Sequence, residues 1–148
     1  MINYKDFNLQ DVLPHDNPMI LISSILDYNA NDLTAKCSVK IEKNNIFFDK
    51  GLNGISPLVG IEYMAQTIGV YAYFKNKMKE PQIGYLLGTR AFNSNIKLFE
   101  FGKTYTVEVK EVFSDNQLVS FECFIYNEED NICQNSTVNC YMPGKEDI

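Results

Sequence analysis

The sequence predicts an α+β domain in which an antiparallel sheet curls around one long central helix, and three observations carry that prediction. One segment of helical length, 58–74, has apolar residues on nearly every face and so is expected to be surrounded rather than laid on a surface. Ahead of it, residues 33–42 alternate apolar and polar with a period of two, the mark of a strand with one wet face. After it, strand-like stretches follow one another with polar turns between them, which makes a meander. The 148 residues suffice for a single core. No repeat, Gly/Ser linker or charge block divides them, so residues 1–148 read as one domain.

Taken in order, residues 7–13 form a short amphipathic opening. Residues 18–28, with Met19, Ile20, Leu21, Ile22, Ile25 and Leu26, are apolar but too short for a buried helix, and they predict a strand. Asn29-Ala30-Asn31-Asp32 is a turn by composition. Next, Leu33, Ala35, Cys37, Val39 and Ile41 face one way while Thr34, Lys36, Ser38, Lys40 and Glu42 face the other, so the first two strands form a hairpin. The helix 58–74 ends in Lys75-Asn76-Lys77-Met78-Lys79-Glu80-Pro81, which places cations at its C-terminus. Along it Ala65, Gly69 and Ala72 fall one turn apart on one stripe, where another backbone can approach closely. Residues 83–92 predict a strand carrying Leu86, Leu87 and Arg90. In 104–113, Tyr105, Val107 and Val109 share a face, and Ser114-Asp115-Asn116 then turns the chain. Val119, Phe121, Cys123 and Ile125 follow, and Glu128-Glu129-Asp130-Asn131 leads to a last strand that ends at Met142 before Pro143-Gly144. A sheet curled around a helix in this way is the hotdog architecture.

Charge and rare residues narrow the function. A net charge of −6 repels phosphate backbones and anionic membranes, so no nucleic acid is expected as partner. The central helix carries Glu62, Gln66 and two glycines, which argues against a membrane span of roughly 20 apolar residues. His15 is the sole histidine and Arg90 the sole arginine, so a mechanism that needs two histidines from one chain is excluded. The four cysteines, Cys37, Cys123, Cys133 and Cys140, form no C-x-x-C pair, and no metal site is expected. The N-terminal stretch has no basic region followed by an apolar run, which predicts a cytoplasmic protein whose cysteines stay as thiols.

Glu62 is the strongest single signal for chemistry. It is the only charged residue between Lys50 and Lys75 and lies one turn into an apolar helix. Burying an unpaired carboxylate costs several kcal/mol, about 3 or more, so a carboxylate kept there is expected to handle protons. The rival reading is a Glu stabilised by the helix N-terminus. Gln66, one turn further on the same face, would orient that carboxylate or cap a buried polar cluster. His15 stands between two prolines and is the default general base; as a loop residue it would be merely hydrogen-bonded. Arg90 reads as a structural ion pair ahead of a group that binds an anion or stabilises a carboxylate, and Tyr63, Tyr71 and Tyr73 read as packing residues ahead of acids. No phosphate loop, dinucleotide fingerprint or nucleophile elbow is present.

Three motifs then carry a resemblance: Leu13-Pro14-His15-Asp16-Asn17-Pro18-Met19, Gly60-Ile61-Glu62-Tyr63-Met64-Ala65-Gln66, and Gly84-Tyr85-Leu86-Leu87-Gly88-Thr89-Arg90. In this order over residues 13–142 the chain resembles the hotdog-fold 3-hydroxyacyl-acyl carrier protein dehydratases, most closely the branch associated with aryl polyene pigment and related lipid synthesis. The resemblance implies removal of water from a 3-hydroxyacyl thioester held on phosphopantetheine, of acyl carrier protein or CoA, with no other cofactor. It also implies a homodimer, or a heterodimer with a related hotdog subunit. Glu62 matches the family's helix carboxylate and His15 a histidine of its opening motif, and the resemblance implies that the two, contributed by opposite subunits of a dimer, divide the proton transfers; Leu58, Val59, Gly60 and Gln66 fall where substrate is bound. The chain departs from the family twice. The usual catalytic histidine, counted back without gaps, is Phe48. The glycine whose N–H faces the thioester is Pro57, which has no N–H, so an amide of Leu58 or Val59 would replace it. A hotdog thioesterase using Glu62, and a non-catalytic partner subunit, are the alternatives that the residues leave open.

Overall fold

The computed structural model describes residues 2–81 and 84–143. A 3-10 turn, Tyr4–Asp6, and a one-turn helix α1, Leu9–Val12, open the chain, each started by an asparagine whose side chain accepts a backbone N–H: Asn3 from Lys5 and Asn8 from Gln10. Strand β1, Ser24–Asn29, pairs antiparallel with β2, Thr34–Lys40. Their turn is tied by Asn29, whose Oδ1 accepts the Asp32 N–H at 3.0 Å and whose Nδ2 donates to the Asp32 carboxylate at 3.1 Å. The hairpin is therefore present, but its first strand begins at Ser24 and not at residue 18. Met19 and Leu21 turn to the helix instead, because a backbone group of each is taken by Gln66, a side chain of the central helix, while Ser23 already donates its N–H to the Ser38 carbonyl of β2.

Two-residue strands β3, Phe48–Asp49, and β4, Gly54–Ile55, precede a second 3-10 turn, Pro57–Val59, and then the central helix α2, Gly60–Lys75. Strands β5, Tyr85–Ser94, and β6, Phe99–Glu100, come next, followed by β7, Thr104–Asp115, β8, Leu118–Tyr126, and β9, Ile132–Tyr141. The last three pair in succession as the expected meander, turned at positive φ by Asn116 and Asp130, residues that tolerate the left-handed region. Ile83, where the strand before the meander was expected to start, and Gly144 lie outside the described residues.

The main sheet has the order β1-β2-β7-β8-β9-β5, antiparallel throughout, and β3-β4-β6 form a small second sheet. The sheet curls over α2, whose residues Tyr63, Met64, Gln66, Thr67, Ile68, Val70 and Tyr71 are buried, and this is the hotdog fold. Alternate residues of β2, β7 and β8 point at the helix: Ala35, Cys37 and Val39, then Tyr105, Val107 and Val109, then Val119, Phe121, Cys123 and Ile125. Edge-to-face ring pairs lock the layers. Tyr71 meets Phe121 at 5.5 Å between centroids, and Tyr63 meets Phe99 of the small sheet at 5.3 Å. Gly54 is required where the small sheet closes, since a Cβ there would collide with the carbonyl oxygen of Phe99. No helix among the described residues is long and apolar enough to cross a membrane.

Candidate active site

Two elements bring His15 and Glu62 together. The segment after α1 crosses the first half of α2, and Gln66 holds it there. The Gln66 side chain is fully buried; its Nε2 donates to the Met19 carbonyl at 2.6 Å and its Oε1 accepts the Leu21 N–H at 2.8 Å. The same Nε2 lies 3.5 Å from Glu62 Oε1. Gln66 therefore caps the backbone of residues 19–21 and also touches the carboxylate, so both roles read for it in the sequence meet in one side chain.

His15 Nε2 then stands 3.9 Å from Glu62 Oε1 within one chain. That is too long for a direct hydrogen bond and close enough for one substrate atom or one water to bridge. The other ring nitrogen, Nδ1, is buried without a partner among the described residues, so none of them fixes which nitrogen carries the proton. The Glu62 side chain keeps 39% of its accessible surface, against the expectation of a carboxylate sunk in apolar surroundings. The helix is covered on its other faces, but at Glu62 it borders a cavity rather than the core.

That cavity has a volume of about 220 Å³. Pro14, His15 and Glu62 form its polar end, and Ala65, Ile68 and Gly69 of α2, Cys140 of β9, Gly84, Leu86 and Met142 form the rest. The stripe of small residues read from the sequence thus faces open space at Ala65, while at Gly69 it receives a side chain and no backbone: a Cβ there would stand 2.8 Å from Leu13 Cδ2.

The helix start is tightly organised. Ser56 caps the 3-10 turn, its Oγ accepting the Leu58 N–H at 3.3 Å and its carbonyl the Val59 N–H at 3.1 Å. The Gly60 N–H donates to the Pro57 carbonyl. Gln134 of β9, 1% exposed, braces this corner by donating from Nε2 to the Pro57 carbonyl at 2.8 Å and to Ser94 Oγ at 3.1 Å. Its Oε1 packs where a Cβ of residue 60 would stand, so position 60 is restricted to glycine. Sequence reasoning missed Gln134; polar residues on the inward face of a strand, here Gln134 and Ser136 in line with Val138 and Cys140, are the signal that would have found it. Phe48, at the family's histidine position, packs edge-on to Phe101 with ring centroids 5.9 Å apart. Arg90 is exposed on β5 and forms no ion pair among the described residues, which corrects the structural pair expected for it. Tyr63, Tyr71 and Tyr73 are buried as packing residues.

The four cysteines are free and buried. Burial pushes the Cys37 thiol up to about 12 and that of Cys140, in the cavity wall, up to about 11, and it raises Cys123 and Cys133 as well. None is a thiolate nucleophile near neutral pH. A thiol reagent at pH 8 is expected to modify native protein slowly and denatured protein at four sites; fast native modification would contradict the burial. Because the folded values lie above the unfolded one of about 8.5, the folded state holds these protons longer. This stabilisation is complete below about pH 8.5 and is lost as pH rises through the folded values, so melting temperature should fall on the alkaline side.

With this geometry in place, the chain can be compared with known proteins. The model of the family described as ApeP-like, ApeP dehydratase, matches residues 7–148. Among solved structures, a chain of the dehydratase heterocomplex ApeI:P from Xenorhabdus doucetiae is 25% identical, with a TM-score of 0.83 over 95% of this chain and 93% of that one. A hypothetical thioesterase with coenzyme A from Streptococcus pneumoniae TIGR4 is 13% identical, with a TM-score of 0.63 over 81% of this chain and 84% of that one. Zebra fish thioesterase superfamily member 2 is 8% identical, with a TM-score of 0.66 over 88% of each chain. The last two show a shared fold only. Comparison with curated proteins gives no match.

Proposed function

Because the chain belongs to the ApeP-like dehydratase family, we propose that it removes water from a 3-hydroxyacyl thioester carried on the phosphopantetheine of acyl carrier protein or CoA, with Glu62 and His15 handling the protons. The observation that supports this most is the approach of His15 Nε2 to Glu62 Oε1, 3.9 Å apart at the polar end of a cavity. A pair that holds one proton between its members has one group free to accept and one able to donate. The first takes the proton from C2 and the second gives one to the C3 hydroxyl. The C2–H and C3–O bonds break, the C2–C3 double bond forms, and water leaves. Gln66 positions both partners by clamping residues 19–21 and touching the carboxylate. The thioester carbonyl would lie at the helix start near Leu58, Val59 and Gly60, and the Leu58 amide, held by the Ser56 hydroxyl at 3.3 Å and not by a backbone carbonyl as are the other two, is the donor that would polarise it.

Both groups come from one chain, so the catalytic pair needs no second subunit to form. A partner is still favoured, and the heterocomplex relative supports one. Among the described residues strand β5 pairs only with β9, which leaves its outer edge open there, and Tyr85, Leu86 and Leu87 beside that edge are 57%, 47% and 59% exposed. A second hotdog subunit, identical or related, seats there. Since Leu86 also lines the cavity, that subunit would close off the half-exposed Glu62.

The protein, alone and with its co-purified partner, is to be offered a 3-hydroxyacyl and a plain acyl thioester. Loss of water from the first without release of free thiol is the expected result. Thiol release from both would make it a thioesterase, and turnover seen only with the partner present would make this chain a supporting subunit.

A further inference from the structure

A second cavity, of about 310 Å³, lies beside the C-terminal half of α2. It is the direct neighbour of the reacting pocket. Ile68 and Gly69 line the first and Tyr71 and Ala72 the second, one helical turn on. On the sheet, Cys140 lines the first and its cross-strand partner Val119 the second. One residue lines both, Met142. Its backbone is pinned where N–H donates to the Gln117 carbonyl at 2.7 Å, and its Cγ and Cε lie 3.5 and 3.7 Å from where a Cβ of Gly84 would be. Glycine at 84 leaves the thioether room on that side, and methionine is unbranched with three rotatable bonds. The lining of the second cavity includes a polar group: Glu111 Oε1 accepts from Tyr71 Oη at 3.0 Å and pairs with Lys75 Nζ at 2.6 Å.

We propose that Met142 is the residue that sets the acyl-chain length of this site, a movable wall that ends the chain in the reacting pocket and, when displaced, opens the second cavity as far as Lys75 and Glu111. This rests on the acyl-thioester reading above. By the measure of a 150 Å³ cavity that takes benzene, about 25 Å³ per carbon, the first pocket holds roughly nine carbons. A chain longer than that must move Met142 or stay in water.

The test uses the full chain with Met142→Ala, which removes the wall, Met142→Phe, which thickens it, and Met142→Leu, which conserves volume, with melting curves to verify folding. Two readouts are taken over straight chains of rising length: binding of plain acyl-CoA by calorimetry, and dehydration of the 3-hydroxyacyl-CoA series. With alanine the length optimum should move several carbons longer, affinity improving roughly fourfold for each added methylene that gains apolar cover. With phenylalanine it should move shorter, and with leucine it should stay. Alanine and phenylalanine profiles that coincide with wild type in binding would overturn the proposal. A shifted binding profile in a protein that dehydrates none of the series would uphold the role of Met142 and overturn the dehydratase reading instead.

Discussion

Glu62→Gln is expected to leave the fold intact and to reduce dehydration by roughly 10²–10⁴-fold, the range that a positioned acid or base contributes. The substitution is nearly isosteric, and its amide oxygen can still accept from Gln66 Nε2, 3.5 Å from the present carboxylate oxygen. What is lost is the capacity to take and return a proton. Because the side chain is half-exposed and does not lie in the core, the melting temperature should hardly move, and this separates a chemical defect from a folding defect. Enoyl formation followed beside a melting curve measures both. Turnover at the wild-type rate would remove Glu62 from the mechanism, whatever its distance from His15.

The second large effect is expected at Gln66. Gln66→Leu fills the same space in the helix but leaves the Met19 carbonyl and the Leu21 N–H, both now bonded to the amide, without partners next to α2. Two desolvated backbone groups cost about 3 kcal/mol together, or roughly 10 °C in melting temperature for a chain of this size. The strand of consequences runs on to activity, because residues 19–21 anchor the segment that carries His15. The variant should therefore lose turnover even at temperatures where it is folded, with the loss in kcat larger than that in KM. A variant that melts early yet turns over normally would show that the clamp serves stability alone.

These two residues also show where the sequence was readable. The helix was legible because its apolar run has helical length and covers nearly every face, and the strands because burial of one face imposes a period of two, unbroken in β2 and β8 and kept in β7 as far as Glu111. Residues 18–23 have the composition of a strand, yet the Met19 carbonyl and the Leu21 N–H bond to a glutamine some 45 positions away, which no local pattern reports. The small sheet went unseen for a related reason, since strands of two residues are too short to show alternation. At the site, Glu62 stood out as a charge in an apolar helix and His15 as the sole imidazole, and both lie in motifs that carry the family resemblance. The setting of Glu62 was misjudged because a helix apolar on all sides suggests full enclosure, and a cavity beside it leaves no mark on composition. The division of the pair between subunits was likewise a matter of the family; the fold places both groups on one chain.

The solitary imidazole of this protein has a practical corollary. Every histidine ring signal in a nuclear magnetic resonance spectrum of the homogeneous chain must originate at the pocket mouth, because the molecule owns a single such ring. Ligand arrival, tautomer and ionisation at that spot can be watched without assigning anything else, so the protein comes with its own reporter already installed.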